Sequence, residues 1–254
     1  MKVIVNRTYE DVSHSASQYI QTQIKHNPHS VLGLATGSTP LGLYKKLVMD
    51  YRAGHTDYSK VSTINLDEYV GLSKTHPQSY HTFMRNNLFS HINIIDQHTH
   101  IPNGQAMNLG EECARYNRTL ELLGPPDILI LGIGENGHIG FNEPGTSFNE
   151  KTQVVKLKES TRRANARLFS SIHDVPKEAI TMGIESILSS TCILLLATGE
   201  RKNKAIQQLL EGKIHEEFPA SALHLHPNVT LIVDESAYNR DASPRQSFNP
   251  AIYE

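Results

Sequence analysis

Short apolar, β-rich runs alternate with helix-patterned segments along almost the whole chain, and few folds accommodate such an alternation. The clearest run is Ile128-Leu129-Ile130-Leu131, between Asp127 and Gly132. An unbroken apolar stretch of that length suits a strand buried on both faces. Further strands are expected at residues 2–5, 31–35, 61–66, 154–157, 192–197 and 229–233. Between them, Val12, Ala16, Tyr19, Ile20 and Ile24 recur at spacings of three and four behind Thr8, a good N-cap residue. Pro40 stands where a second helix would begin, and a third is expected from near Pro77. Residues 108–123 read as helix ended by Gly124-Pro125-Pro126, and residues 201–210 as another. Alternation of this kind predicts an α/β fold: an open, mostly parallel sheet with helices on both faces, Rossmann-like, in a single domain over residues 1–254. From about Glu235 the chain turns polar and suggests no element.

Several function classes fall away on composition. The formal net charge is −2, so there is no basic field for nucleic acid, and an anionic ligand must be met by a few local cations. No apolar run is long enough to span a bilayer, and residues 1–6 look like a strand rather than a signal peptide, so no membrane partner and a cytoplasmic location are expected. Two cysteines, Cys113 and Cys192, make no disulfide scaffold and no Cys-x-x-Cys pair.

In an open parallel sheet, ligands bind beyond the carboxyl ends of the strands. The residues that follow each strand are therefore the candidates for chemistry. After the second strand come Thr36, Gly37, Ser38 and Thr39, then Pro40. Small residues leading into a helix offer free backbone N–H groups and hydroxyls to a phosphate, or form a tight turn with an N-cap. The Gly-Lys-Ser/Thr ending of a nucleotide P-loop is missing. After the third strand, Asp67 and Glu68 adjoin; Asp67 could be a general base in the crevice or the cap of a turn.

The loop after the long apolar strand is richest: Gly132-Ile133-Gly134-Glu135-Asn136-Gly137-His138-Ile139-Gly140-Phe141-Asn142-Glu143-Pro144. It contains G-x-G-x-x-G, but a dinucleotide site needs a long helix directly afterwards, and Gly140 and Pro144 interrupt one. No strand ending in an acid follows about twenty residues on, as that fingerprint requires. Asn136, His138 and Glu143 fall within eight positions. A neutral imidazole can take and give a proton near pH 7, and a carboxylate can orient it; the alternative is a solvated loop histidine beside a turn glutamate. Arg167, four residues after Arg163 in a helical stretch, and Lys202, after the strand at 192–197, could complete an anion site. Among 14 histidines no metal-binding spacing occurs, and His224 and His226 would share one face of a strand.

Five segments, in this order, carry a resemblance: Ala35-Thr-Gly-Ser-Thr-Pro40, Leu66-Asp-Glu-Tyr-Val-Gly71, His76-Pro-Gln-Ser-Tyr80, Gly134-Glu-Asn-Gly-His-Ile-Gly-Phe-Asn-Glu-Pro144 and Ala164-Asn-Ala-Arg167. Together they resemble the glucosamine-6-phosphate deaminase family over most of the chain. The resemblance implies conversion of glucosamine 6-phosphate to fructose 6-phosphate and ammonia, with no cofactor and no metal. It implies that His138 opens the sugar ring, supported by Asn136 and Glu143, that Asp67 moves the C2 proton, and that Thr36, Gly37, Ser38, Thr39, Arg167 and Lys202 hold the phosphate.

Two departures from the family's pattern bear on mechanism and control. Asn136 stands where many members carry Asp, so Glu143 should supply most of the charge that supports His138. Gln153 and Val155 stand where allosteric members carry basic residues, which implies weak or absent activation by N-acetylglucosamine 6-phosphate and a monomer or small homo-oligomer. The alternative readings are a 6-phosphogluconolactonase-like hydrolase of the same fold, or a non-catalytic sugar-phosphate sensor. A lactonase would not need Asp67 for carbon-acid chemistry. A sensor would carry a DNA-binding segment and would have no use for Asp67, His138 and Glu143 together.

Overall fold

A computed structural model describes residues 1–239. Seven parallel strands form the main sheet: β1 (Lys2–Asn6), β2 (Val31–Leu34), β3 (Ser62–Asn65), β5 (Thr99–His100), β6 (Ile128–Gly132), β9 (Ile193–Ala197) and β10 (Val229–Asp234). Their spatial order is β1-β10-β9-β6-β2-β3-β5, every neighbouring pair being parallel. Three further strands, β4 (Asp67–Tyr69), β7 (Gln153–Lys156) and β8 (Glu178–Thr181), pair antiparallel in a second, small sheet ordered β4-β8-β7.

The seven expected strands are present within a residue or two of their expected limits, but the one at 154–157 lies in the small sheet. No second sheet is expected from the sequence. Only two residues of β8, Ala179 and Ile180, are apolar, and β4 opens with two acids; neither shows the run or the alternation that marks a strand. β5, two residues long at the sheet edge, escaped for the same reason.

Both faces of the main sheet are covered. α1 (Tyr9–His26), α2 (Leu41–Arg52) and α3 (Tyr80–Asn87) bury Ile20, Leu47 and Met84 against one face, where Ile128 and Ile130 of β6 point. α4 (Leu109–Leu123), α6 (Ile184–Leu188), α7 (Asn203–Leu210) and α8 (Glu235–Tyr238) cover the other with Tyr116, Ile187, Ile206 and Ala237, against Leu129 and Leu131. The alternation along β6 is thus a division between two cores, each residue worth about 1.5–3 kcal/mol of burial. α5 (Glu159–Asn165) meets the small sheet through Asn165, which donates to the Tyr69 hydroxyl. Thr8 caps α1 as expected, accepting from Asp11 N, and Asn108 proves to be the N-cap of α4, accepting from Gly110 N and Glu111 N. The helix expected near Pro77 starts at Tyr80, behind the N-cap Ser79.

His224 and His226 do not share a strand face. Residues Pro219–Leu225 form a 3-10 helix led by Pro219, whose fixed φ favours a helical start. His224 Nε2 lies 2.7 Å from Leu209 O, and His226 Nε2 2.7 Å from Ser190 O, so each imidazole pins a backbone carbonyl. Among the described residues no helix is long and apolar enough to cross a membrane.

The strand order locates the ligand end of the sheet. The chain runs outward from β2 to β3 and β5, then returns to place β6 on the other side of β2. That reversal is a topological switch point, and the loops after β2 and β6 diverge there to leave a crevice.

Candidate active site

A cavity of about 940 Å³ opens at the switch point. It is lined by residues 36–39 after β2, Asp67 after β3, residues 132–136 and His138 after β6, Lys202 after β9, and Arg167 from the segment following α5. Every candidate site residue except Glu143 forms part of its wall. Asp67 and His138, 71 positions apart, face the same space.

The loop after β2 is held by its neighbours rather than by its own hydroxyls. Tyr9 donates its hydroxyl to Ser38 O at 3.0 Å and accepts Gly42 N–H at 2.7 Å. α2 has Pro40 at its N-cap and no side-chain cap, so the hydroxyls of Ser38 and Thr39 are not spent on capping. Gly37 has φ +97, which a side chain would resist.

The adjacent acids diverge. Glu68 is buried and turns to the start of α3, where it accepts Tyr69 N–H and Tyr80 N–H on one oxygen and His81 N–H on the other, with His81 Nδ1 at 2.9 Å. Glu68, not Asp67, is the helix-capping acid. Asp67 pairs in register with Thr181 of β8 and accepts no hydrogen bond among the described residues. Burial first, then the charge of Glu68, pushes its carboxyl up to about 8. A carboxylate kept this basic is suited to take a proton from carbon.

On the other wall, the side chains are wired in series. The buried Glu143 carboxylate accepts from Asn136 Nδ2 at 2.7 Å on one oxygen and from Thr161 Oγ1 on the other. A carboxylate only accepts, so the Asn136 amide must turn its NH2 toward Glu143 and its oxygen toward His138. That oxygen lies 2.7 Å from His138 Nδ1. Nδ1 therefore carries the proton, and Nε2 keeps its lone pair. Glu143 Oε2 is 3.8 Å from His138 Nδ1, close enough to stabilise an imidazolium. Against it, burial holds the imidazole pKa below its ordinary value, and Lys202 adds to that lowering.

The glycines of this loop serve packing, not a dinucleotide. A Cβ on Gly134 would meet His138 Cε1 at 2.2 Å, so the ring lies flat against backbone. Gly140, at φ +57, puts its bare Cα near Thr181 and Asp67. No helix follows the loop; residues 134–149 are turns and irregular backbone with one isolated bridge, Ile139 to Asn142.

The cations sort themselves. Arg162 donates to Ile172 O and Val175 O, and Arg163 pairs with Glu159. The Arg167 side chain makes neither a hydrogen bond nor an ion pair among the described residues, and it borders the cavity. Lys202 sits in the 3-10 turn before α7, and burial lowers its ammonium pKa. Among the described residues no three His, Cys, Asp or Glu side chains gather as a ligand set.

A model of the family described as glucosamine-6-phosphate isomerases/6-phosphogluconolactonase matches residues 6–232. The chain belongs to that family. It is 53% identical over 237 residues to a glucosamine-6-phosphate deaminase of Thermoanaerobacter pseudethanolicus, covering 93% of this chain and 94% of the relative. It is 52% identical to glucosamine-6-phosphate deaminase 1 of Bacillus subtilis, over 93% of this chain and 98% of that one. A solved monomeric glucosamine-6-phosphate deaminase superposes with a TM-score of 0.92 at 52% identity, over 93% of this chain and 98% of that chain. The 6-phosphogluconolactonase of Trypanosoma brucei shares the fold at a TM-score of 0.76 but only 19% identity, over 93% and 97% of the two chains.

Some cavity residues of this family member have no counterpart among the sequence candidates. Tyr69 and Tyr80 form an aromatic wall with Phe141, Tyr80 and Phe141 stacking at 6.2 Å between centroids. Tyr69 was within reach of sequence reasoning, because it lies two residues after Asp67 and so shares its side of a strand. Thr161 carried no such signal, being 18 positions from Glu143.

Proposed function

We propose that the chain deaminates and isomerises glucosamine 6-phosphate to fructose 6-phosphate and ammonia, with Asp67 and His138 as its two catalytic residues. The observation that carries this reading is that a bare, basic carboxyl and an oriented imidazole line one cavity, bordered by Ser38 and Thr39 hydroxyls not used in capping and by Arg167 and Lys202.

The phosphate is held by the backbone and hydroxyls of Thr36, Gly37, Ser38 and Thr39, with Arg167 and Lys202. Its binding energy aligns C1 and C2 of the sugar. His138 Nε2 takes the proton of the anomeric hydroxyl and returns it to the ring oxygen as the C1–O5 bond breaks, leaving an open aldehyde. Glu143, through Asn136, stabilises the transient imidazolium. Asp67 then takes the C2 proton while the aldehyde oxygen takes one from the C2 ammonium, giving an enolamine, and Asp67 returns its proton to C1, so that C2 becomes an iminium carbon. Water adds at C2, and the C2–N bond breaks to release ammonia and leave the ketone. C1 is reduced as C2 is oxidised, so the sugar balances its own electrons, and the steps need only positioned acids and bases and one water.

The close deaminase relatives support this reading over a lactonase, whose likeness at 19% identity speaks for the fold alone. We assign the protein no nucleic-acid or membrane partner, a cytoplasmic location, and a monomeric or small homo-oligomeric state, which sedimentation would read. The test is purified protein with glucosamine 6-phosphate, which should yield ammonia and fructose 6-phosphate in equal amounts, unchanged by a chelator. Hydrolysis of 6-phosphogluconolactone without deamination would overturn the assignment.

A further inference from the structure

α5 carries one face of hydrogen-bonding side chains, and that face meets both halves of the site. Lys158, its N-cap residue, donates to Pro144 O at 3.3 Å. Thr161 donates to Glu143 Oε1. Asn165 donates to the hydroxyl of Tyr69, two residues beyond Asp67, at 2.9 Å. Positions 158, 161 and 165 are three and four apart, so they project to the same side. Two residues beyond Asn165, Arg167 reaches the cavity.

Thr161 is the most constrained of the three. Its side chain is buried, and its partner Glu143 is buried with it. Glu143 accepts one bond from the catalytic loop, through Asn136, and one from α5, through Thr161. Without the second bond the carboxylate could rotate, and Asn136 would lose the fixed acceptor that sets its own orientation. The Nδ1–H tautomer of His138 depends on that orientation. A buried carboxylate deprived of a donor also carries more uncompensated charge.

We propose that Thr161 is a positioning residue of the deamination, its hydroxyl fixing Glu143 and thereby the tautomer and charge of His138. This rests on the deaminase reading above. Arg167 follows directly on α5, so the helix that completes the His138 chain runs on into the turn that lines the cavity with Arg167. A purely structural threonine would act through its methyl group; a positioning threonine acts through its hydroxyl.

The test compares Thr161→Val, which keeps the shape and loses the hydroxyl, with Thr161→Ser, which keeps the hydroxyl and loses the methyl. Two readouts are taken: kcat and KM for glucosamine 6-phosphate, and titration of the His138 ring followed by NMR in labelled protein. For Thr161→Val, kcat should fall about tenfold. The His138 midpoint should move to higher pH, because the less-compensated Glu143 favours the imidazolium. Thr161→Ser should restore both. A wild-type rate and an unmoved midpoint in Thr161→Val would overturn the proposal, as would a loss that serine fails to rescue. If valine prevents folding, Thr161→Ala is read in its place against the same serine variant. Should wild-type protein release no ammonia, the deaminase reading fails, while the His138 titration still decides the role of Thr161.

Discussion

The two walls of the cavity treat their acid–base groups in opposite ways. Asp67 is left bare: it is 7% exposed, accepts no hydrogen bond among the described residues, and stands beside a second carboxylate. His138 is wired: Asn136, Glu143 and Thr161 follow it in a continuous chain. The strand wall raises the basicity of its group by withholding partners. The loop wall supplies partners that fix which nitrogen carries the proton. A group that must abstract a proton from carbon gains from the first arrangement, and one that must shuttle a proton between two oxygens gains from the second.

The largest effect should come from the bare wall. Asp67→Asn is expected to lower kcat by about 10⁴-fold while substrate still binds, since the amide keeps shape and loses basicity. The same variant should be more stable than the parent in alkaline conditions. The folded state holds the Asp67 proton more tightly than the unfolded chain does. Stability is therefore full below the ordinary carboxyl value of 3.8, is lost as pH rises toward about 8, and stays low above that. Melting curves should show the asparagine variant gaining several degrees at pH 9 and much less at pH 5. In the parent, kcat/KM should climb as pH rises toward about 8, because only the ionised carboxylate accepts the C2 proton. A rate already flat from pH 5 would break the contrast between the walls.

Next in size is the wired wall. His138→Gln should cost about 10²-fold in kcat, less than Asp67→Asn, because ring opening also proceeds slowly in water. Gly134→Ala tests the wiring without touching a polar atom. The new methyl would lie 2.3 Å from His138 Nδ1, so the ring must leave its place against Asn136. A loss of about tenfold in kcat with KM little changed is expected. An unchanged rate in Gly134→Ala would show that the chain of hydrogen bonds contributes little.

The contrast between the walls also marks what could be read from the residues in order. The His138 wall was legible because Asn136, His138 and Glu143 fall within one loop, and the main sheet because its buried strands are unbroken apolar runs. The surroundings of Asp67 were not. Its basicity comes first from burial, and it sits in β4, whose partner β8 lies more than a hundred positions away, neither strand carrying apolar periodicity of its own. Thr161 was equally hidden, since a threonine in a polar helix gives no hint of the carboxylate it will meet. The direct neighbours Asp67 and Glu68 show the limit well. Their order in the chain says nothing of which acid caps α3 and which faces the cavity; the pleat of β4 decides it.

The smallest expected effect concerns the seam between the walls. Gln153 of β7 donates to Asn142 Oδ1 at 3.2 Å, and Asn142 donates in turn to Ile139 O and Met182 O. This bracket ties the His138 loop to the small sheet that holds Asp67. Val155, two residues on, packs beside the cluster of Tyr69, Phe141, Leu157 and Ala179. Neither side chain is cationic, and one is already committed to the bracket. An acetylated sugar phosphate would find no charge to bind at these positions. Adding N-acetylglucosamine 6-phosphate should therefore leave the rate hyperbolic in substrate, with the half-saturation point unmoved apart from simple competition at the cavity. A sigmoidal curve straightened by that ligand would mean that the two walls shift relative to each other on binding, and the bracket through Asn142 would then be a hinge rather than a tie.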